Sequence, residues 1–260
     1  MIVEQSLKQA RLRFVTSTED LSADRALLGR TSTAERVAGI LRARISAGYF
    51  APGERLTEDE ITKALGVSRN TLREAFRLLT HERLLVHQLN QGMFVRKLDL
   101  VDVLDLYKVR KHVQCSVVRA VTGPPANLGA LTEAVRLGER AIDERDWRGL
   151  GTANIQFHEA LAAIADSPRI DELMRGVLAE LRLVFHVMTD VRWFHEPYLR
   201  RNREILAALG DGDGLLAERL LHEYLDDAEQ QLRDAYARAA SSPTGELTGP
   251  GKPASQSTPD

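Results

Sequence analysis

Apolar residues recur at helical spacing along most of this chain, most clearly from Ser68 to Leu79. The apolar positions of this stretch lie at i, i+3, i+4 and i+7, which is the spacing of one buried helix face. They are Leu72, Ala75, Phe76 and Leu79. The opposite side is polar and carries several arginines, so the pattern predicts a helix with one core face and one Arg-bearing face.

A shorter helix is predicted just before it, from Thr57 to Leu65. Thr57 and Glu60 have the spacing of a capping box, in which two side chains bond free backbone N–H groups at a helix start. Gly66 and Val67 supply a tight turn between the helices. This order predicts a helix-turn-helix, whose second helix lies in the DNA major groove.

The flanking segments complete a small domain. Thr33 to Ala47 is predicted to be a helix because its apolar residues share one face. Leu84 to Leu89 and Met93 to Arg96 are predicted strands, and Asn90-Gln91-Gly92 between them is typical of a tight hairpin turn. The sequence therefore predicts a winged helix-turn-helix domain over residues 31–97.

Residues 98–240 show helical periodicity throughout. Short breaks rich in Gly, Pro, Asp or Ser separate six amphipathic segments. These are Asp99 to Val121, Leu128 to Ile142, Trp147 to Ala165, Arg169 to Val191, His195 to Leu209 and Asp213 to Ala240. Helices joined by short loops predict an antiparallel all-helical bundle, so the fold class is mainly α with a winged helix at its N-terminal end.

The two ends of the chain lack this periodicity. Residues 1–30 predict a flexible arm, whose basic residues Lys8, Arg11 and Arg13 either contact DNA phosphate or stay solvated. Residues 241–260 are rich in Ser, Thr, Pro and Gly, which predicts a disordered tail.

Charge is unevenly distributed, although its net value is only −2. Residues 31–97 hold 11 Lys and Arg against 7 Asp and Glu, whereas residues 98–240 hold 18 against 24. The winged helix is basic and the bundle acidic, which predicts that only the winged helix contacts nucleic acid.

Several functional classes find no support in the sequence. No apolar run approaches the ~18 residues of a membrane helix and no signal peptide is recognisable, so we expect a cytoplasmic protein without a membrane partner. The one cysteine, Cys115, lies among valines and is expected to be a buried thiol. No phosphate-binding loop, nucleophile elbow or Glu-x2-His pair is present, which argues against an enzyme.

Three local motifs carry a resemblance to a known family. They are PGERL at 52–56, GVSRNTLREAF at 66–76, and the wing glycine followed by Phe94 and Val95. In order and spacing they resemble the DNA-binding domain of the GntR family of bacterial transcription regulators. The helical half, through NIQFHEALAAIADSPRIDEL at 154–173, resembles the FCD effector domain of the FadR branch of that family.

The resemblance implies which residues contact DNA. Arg69 and Arg73 correspond to the base-reading pair, and bidentate Arg to guanine is the commonest specific contact in the major groove. Asn70 is suited to adenine, and Ser68 or Thr71 to phosphate or a base. The other candidates are the backbone contact Arg77, the helix start at Thr57 and the wing turn Asn90, Gln91 and Gly92. The alternative for the arginines is a merely solvated helix face.

This sequence departs from the family at two places near the DNA. Many relatives have a basic wing tip, whereas Asn90-Gln91-Gly92 is neutral. The FadR branch often has an arginine where this chain has Glu58-Asp59-Glu60. The resemblance therefore supports DNA contacts of the wing and of the first helix less than those of Arg69 and Arg73.

Many relatives hold a divalent metal in the bundle with one Asp and three His. The corresponding residues here are Asn154, His158, Asn202 and His222, by resemblance. Asparagine is a neutral, poorer ligand than carboxylate or imidazole. Two alternatives follow: His158 and His222 hold a divalent metal such as zinc, or all four residues line a pocket that binds a small organic effector directly.

Arg110 is a further pocket candidate, since Leu106 and Val113 lie one turn away on either side. Facing inward, it would clamp a carboxylate of the effector; the alternative is an exposed or ion-paired arginine. The isolated histidines His112, His186 and His195 receive no role.

These features together predict a transcriptional regulator, and specifically a ligand-responsive repressor of metabolic genes. We expect it to bind a palindromic operator in double-stranded DNA as a homodimer. Two rivals remain: a DNA-binding protein whose bundle only dimerises, and a helical-bundle enzyme with a DNA-binding head.

Overall fold

A computed structural model describes residues 32–46, 48–186 and 191–241. The predicted arm at 1–30 lies outside this range, as does the predicted tail apart from Ser241, which ends the last helix. The predicted fold class is confirmed, because a small winged helix-turn-helix precedes an all-helical bundle.

The N-terminal domain combines helices with a three-stranded antiparallel sheet. Its elements are α1 (Thr33–Ser46), β1 (Arg55–Leu56), α2 (Glu58–Leu65), α3 (Arg69–His81), β2 (Leu85–Gln88) and β3 (Gly92–Val95). β3 lies between β1 and β2. The sequence analysis missed β1, since a two-residue strand shows no alternation and exists only through its pairing with β3.

The core of this domain follows the predicted pattern. The four apolar positions of α3 are all buried, and Gly66 ends α2 with a left-handed φ of 65°. The predicted capping box is wrong, because the side chain of Thr57 makes no cap hydrogen bond. The acidic side chains of the first turn of α2 make other contacts, described below.

The second domain consists of helices. They are α4 (Leu100–Arg110), α5 (Ser116–Arg119), α6 (Leu128–Asp143), α7 (Trp147–Ala163), α8 (Pro168–His186), α9 (Val191–Gly210) and α10 (Gly214–Ser241). Among the helices that the structure describes, none combines the length and apolarity needed to cross a bilayer.

Two predicted helix boundaries differ from the structure in ways that affect the site. The helix predicted from Asp99 to Val121 is interrupted by a π-helical turn, Lys111–Cys115, between α4 and α5. Such wide turns are frequent at functional sites. α9 begins at Val191 and continues through Pro197, whereas the prediction began it at His195.

α8 belongs to both domains. Most of its buried residues pack into the bundle, but Leu183 packs into the core of the winged helix. Arg182 donates one hydrogen bond to the Ser46 carbonyl at the end of α1 and another to the Thr152 hydroxyl on α7, each at 2.6 Å. α8 therefore connects the winged helix with the interior of the bundle.

Candidate functional site

The start of α3 is shaped by two of the predicted contact residues. Ser68 has extended backbone, and its hydroxyl oxygen accepts a hydrogen bond from the Thr71 N–H at 3.1 Å. This is the N-cap arrangement that serine favours. The two hydroxyls also bond each other at 2.8 Å. Asn70 beside them is exposed.

Arg69 and Arg73 extend from the exposed face of α3 and reach across the helix-turn-helix turn. Arg69 Nη2 lies 2.9 Å from Asp59 Oδ1, and Arg73 Nε lies 3.2 Å from Glu58 Oε2. Both carboxylates stand in the first turn of α2. The predicted base-reading pair is therefore presented on the surface with one carboxylate beside each guanidinium.

Arg77 has a different partner. Its guanidinium bonds Glu74 of the same helix, with Nη2 at 2.6 Å from the carboxylate. This hydrogen bond lowers the pKa of Glu74 below its ordinary value. Arg77 lies beyond Arg73 along α3 and, among the described residues, forms no ion pair or side-chain hydrogen bond with α2.

The wing has the turn that the sequence predicts. Asn90 and Gly92 have positive φ values of 61° and 104°, which asparagine and glycine tolerate best. Gln91 between them is exposed, as is Thr57 at the start of α2. Leu89 is 81% exposed, so the neutral wing tip also presents an apolar side chain.

A second group of predicted residues meets inside the bundle. Arg110 at the end of α4 is only 2% exposed, so the inward orientation is confirmed. Asn154 and His158 of α7 and Asn202 of α9 are also buried. Asn154 Oδ1 accepts a hydrogen bond from Asn202 Nδ2 at 3.0 Å, which joins two helices at this point.

His222 does not belong to this group, so its assignment to the pocket and to a metal is wrong. Its side chain is 56% exposed and lies 3.0 Å from Asp226 on the same helix. Tyr224 takes the inward position: its hydroxyl donates to Asn154 Oδ1 at 3.0 Å, and its ring centroid is 5.1 Å from that of His158. The spacing of apolar residues in the sequence indicates this arrangement, because the apolar stripe of α10 includes positions 221, 224, 225 and 228 but not 222.

Sequence reasoning also missed His195 and Gln114. The His195 ring packs 4.5 Å from that of Phe185, and His195 lines a cavity with Asn154 and Asn202 that is too small for a water molecule. Gln114 in the π turn donates to the His158 carbonyl at 2.8 Å. His195 and Asn202 are seven residues apart and both lie within the predicted helix, so this spacing was a signal that they share one face.

We define the polar chamber as the buried residues that these contacts connect, together with Arg110, whose charge acts on His158 and Tyr224. They are Arg110, Gln114, Asn154, His158, His195, Asn202 and Tyr224. Several of their buried polar atoms have no hydrogen-bond partner in the described structure: Arg110 Nε, Gln114 Oε1, Asn202 Oδ1, and both ring nitrogens of His158 and of His195. Buried polar atoms are nearly always bonded, so this concentration fits a chamber that receives a polar ligand.

The chamber carries one positive charge and no negative one. Arg110 has no carboxylate partner among the described residues, and its guanidinium lies over the Tyr107 ring at 4.8 Å. Burial, reinforced by the charge of Arg110, holds the pKa of His158 far below its ordinary value. Burial, reinforced by the charge of Arg182, lowers the pKa of His195 to about 3. Both imidazoles are therefore neutral near pH 7.

These residues do not fit a metal ion. Asn154 Oδ1 already accepts two hydrogen bonds, none of the chamber residues is acidic, and the buried guanidinium repels a cation. Across the described ranges, no group of three or more His, Cys, Asp or Glu side chains is placed to hold an ion. Cys115 nearby is buried, as expected, and burial raises the pKa of its thiol to about 11.

Comparisons with known proteins match both domains. The family described as bacterial regulatory proteins, gntR family, matches residues 33–95, and the FCD domain matches residues 105–227. The crystal structure of a putative transcriptional regulator GntR from Rhodococcus sp. RHA1 matches this chain with a TM-score of 0.77 and 50% sequence identity. The match covers 79% of this chain and 100% of that one. The chain belongs to the GntR family of transcription regulators.

Two further relatives agree with this assignment. This GntR-family regulator is 25% identical over 201 residues to the HTH-type transcriptional repressor RspR of Escherichia coli K12, with 76% of this chain and 88% of that one covered. It is 31% identical over 170 residues to the HTH-type regulator YdhC of Bacillus subtilis, with 64% and 75% covered. The matched families are transcription regulators, which are not enzymes.

The buried histidines predict a loss of stability in acid. The unfolded chain takes up a proton at His195 near pH 6.5, whereas the folded chain does so only near pH 3. The contribution of the neutral histidine to the free energy of unfolding is therefore fully present above pH 6.5. Below pH 6.5 it falls by about 1.4 kcal/mol per pH unit for each such histidine. In urea unfolding between pH 7 and 4.5, the free energy of unfolding of the His195→Gln variant should fall less steeply with pH than that of wild type. The two slopes should differ by about 1.4 kcal/mol per pH unit below pH 6.5. Equal slopes would contradict a neutral, buried His195.

Proposed function

We propose that this protein is a repressor that binds a palindromic operator as a homodimer and responds to a small anionic effector. Arg69 and Arg73 of α3 read bases in the major groove, with Asn70 beside them. The start of α2 at Thr57, together with Arg77 and the wing, contacts the backbone. Such a repressor acts on the chromosome in the cytoplasm. The relative RspR is a transcriptional repressor, which supports the proposal that this protein is one as well.

One observation carries the effector proposal, namely the unpaired polar atoms of the chamber around a buried guanidinium. A buried charge without an oppositely charged partner is costly, so a ligand that supplies the opposite charge and hydrogen-bond partners gains much of that energy on binding. Arg110 offers a planar fork suited to a carboxylate. A single monocarboxylate balances the single charge of the chamber.

Different chamber residues bind different groups of the ligand. Arg110 clamps the carboxylate, while the neutral rings of His158 and His195 offer one donor and one acceptor each to polar groups of the ligand. Gln114 and Asn202 each add a free carbonyl oxygen. Because the cavity lined by Asn154, His195 and Asn202 has no room for a water molecule, an effector must move α6, α7 or α9 apart as it enters there.

α8 provides a physical connection from this movement to the DNA-binding head. Phe185 of α8 packs on His195 of the chamber, and Arg182 one turn earlier bonds Ser46 at the end of α1. A ligand that binds one placement of the helices better than another shifts the population of the two. A coupling of ~1–3 kcal/mol changes operator affinity by about 5- to 150-fold.

Thermal unfolding with a panel of ligands tests the effector. The panel contains acetate, benzoate, gluconate and glutarate, and zinc chloride serves for the metal alternative. We expect stabilisation by at least one monocarboxylate, ~2.7 kcal/mol at 100 times its Kd, and no stoichiometric metal by elemental analysis. Stoichiometric zinc would contradict the direct-binding chamber. No stabilisation by any carboxylate would favour the alternative in which the bundle only dimerises.

Selection of binding sites from random duplex DNA tests the DNA-binding proposal. A lone winged helix covers few base pairs, whereas a two-fold dimer reads two half-sites at a fixed spacing. We expect an enriched inverted repeat and two protomers per duplex by native mass spectrometry. A single unrepeated site with one protomer bound would contradict the homodimer.

A further inference from the structure

The acidic first turn of α2 lies where it ought to weaken DNA binding. Glu58 and Asp59 both reach the Arg-bearing face of α3, and the first turn of α2 carries Glu60 as well. Carboxylates within a Debye length of ~10 Å of DNA phosphates repel them. They also occupy the end of a helix where the backbone N–H groups would otherwise favour phosphate. Simple attraction to DNA therefore does not explain these residues.

Fold stability does not explain them either. The side chains of the Arg69–Asp59 pair are 66% and 72% accessible, and those of the Arg73–Glu58 pair are 62% and 35% accessible. Exposed ion pairs contribute only ~0–1 kcal/mol, and often nothing measurable. The contacts therefore add little to the stability of the domain, and what they provide is a carboxylate beside each of the two guanidinium groups.

The geometry of each pair leaves the guanidinium able to bind a base at the same time. Glu58 accepts from Arg73 Nε, at 3.2 and 3.3 Å from its two oxygens, so both Nη groups of Arg73 keep their donors. Asp59 lies 2.9 Å from Arg69 Nη2 and leaves Nε and Nη1 of Arg69 without a partner in the described structure. An arginine has five N–H donors, and a guanine edge requires only two.

Each carboxylate also offsets a repulsion within α3. Arg69 and Arg73 are four residues apart, and like charges at this spacing repel each other. Without the carboxylates, the two guanidinium groups would move apart and sample many rotamers. Ordering such a side chain at an interface costs about 0.5–1.5 kcal/mol, which a prior contact reduces.

We propose that Glu58 and Asp59 are specificity-determining positioning residues, which hold Arg73 and Arg69 in base-reading orientations and disfavour DNA that offers no guanine contact. On an operator, each arginine bonds its carboxylate on α2 and a DNA base at the same time. On other DNA, the repulsion between carboxylates and phosphates stays uncompensated. This inference rests on the proposed reading of bases by α3.

Affinity for two duplexes separates this role from a general effect of charge. One duplex is the sequence that wild-type protein enriches from a random pool, and the other is a scrambled duplex of equal length and composition. The variants are Asp59→Asn and Glu58→Gln in the full-length protein. The matched control is Glu60→Gln, which removes the same charge from the same turn; Glu60 has no ion pair or hydrogen bond among the described residues.

We expect the control to raise affinity for both duplexes by the same factor, so that their ratio is unchanged. Asp59→Asn and Glu58→Gln should raise affinity for the scrambled duplex similarly but lower the ratio of operator to scrambled affinity by about 5-fold or more. In an Arg69→Ala background, Asp59→Asn should no longer change the ratio, because the two residues act as one unit.

If Asp59→Asn and Glu58→Gln both kept a ratio of operator to scrambled affinity as high as that of Glu60→Gln, the inference would be overturned. Base reading by α3 would remain intact. A wild-type protein that enriches no sequence would instead overturn the proposed function and this inference with it. Circular dichroism of each variant excludes unfolding as the cause of a changed ratio.

Discussion

Replacing Arg110 by Met should stabilise the ligand-free protein and abolish its response to the effector. The variant removes a buried guanidinium that has no carboxylate partner among the described residues. An isolated buried charge carries a desolvation penalty of several kcal/mol, part of which the Tyr107 ring offsets. We expect the free energy of unfolding to rise by about 1–3 kcal/mol, as measured by urea unfolding without ligand.

The same variant should lose the stabilisation that a bound monocarboxylate gives wild type, ~2.7 kcal/mol at 100 times its Kd. Lys111→Met is the matched control, because Lys111 is the next residue and its ammonium pairs with Asp226 and Glu229 outside the chamber. This control should lose some stability and keep the ligand response. A destabilised Arg110→Met variant that still responds to the ligand would contradict the proposed clamp.

Replacing Arg73 by Ala should weaken operator binding by ~1–3 kcal/mol, which is about 5- to 150-fold, and relax the preference at one base pair. The loss follows from removing a bidentate contact to a base, while the fold keeps its core because Arg73 lies on the exposed face of α3. Fluorescence anisotropy with the operator and with single-base variants of it measures both effects.

Arg77→Ala is the control for this experiment. Its guanidinium pairs within α3 and lies further from the helix start, so we expect a smaller loss that is uniform across sequences, with a reduced salt dependence. Unchanged operator affinity in Arg73→Ala would contradict the placement of α3 in the major groove.

Side chains whose role follows from position within one helix were predicted well. The buried positions of α3 and the inward orientation of Arg110 depend on helical spacing alone, and both match the structure. The resemblance placed Asn154 and Asn202 in one pocket, and in the structure a direct hydrogen bond joins their side chains.

The errors arose where one helix had to be placed against another. His222 was assigned to the pocket by a local alignment, although Tyr224 lies on the buried stripe of α10. His195 was left without a role because it was taken as an isolated histidine, although its spacing from Asn202 places both on one face of α9. The π turn that aims Gln114 at His158 has no recognisable sequence pattern, since it differs from an α-helix only in which carbonyl each N–H reaches.

By itself, the sequence determined the two-domain plan, the core face of each main helix and the family, because short-range periodicity and local motifs specify those. Tertiary structure alone decided that the chamber is neutral apart from Arg110, that it lacks a metal-ligand set, and that Asp59 and Glu58 hold the arginines of α3. These features depend on distances between side chains far apart in the chain. Such distances follow from the packing of whole helices, in which a shift of one or two residues changes which side chain faces inward.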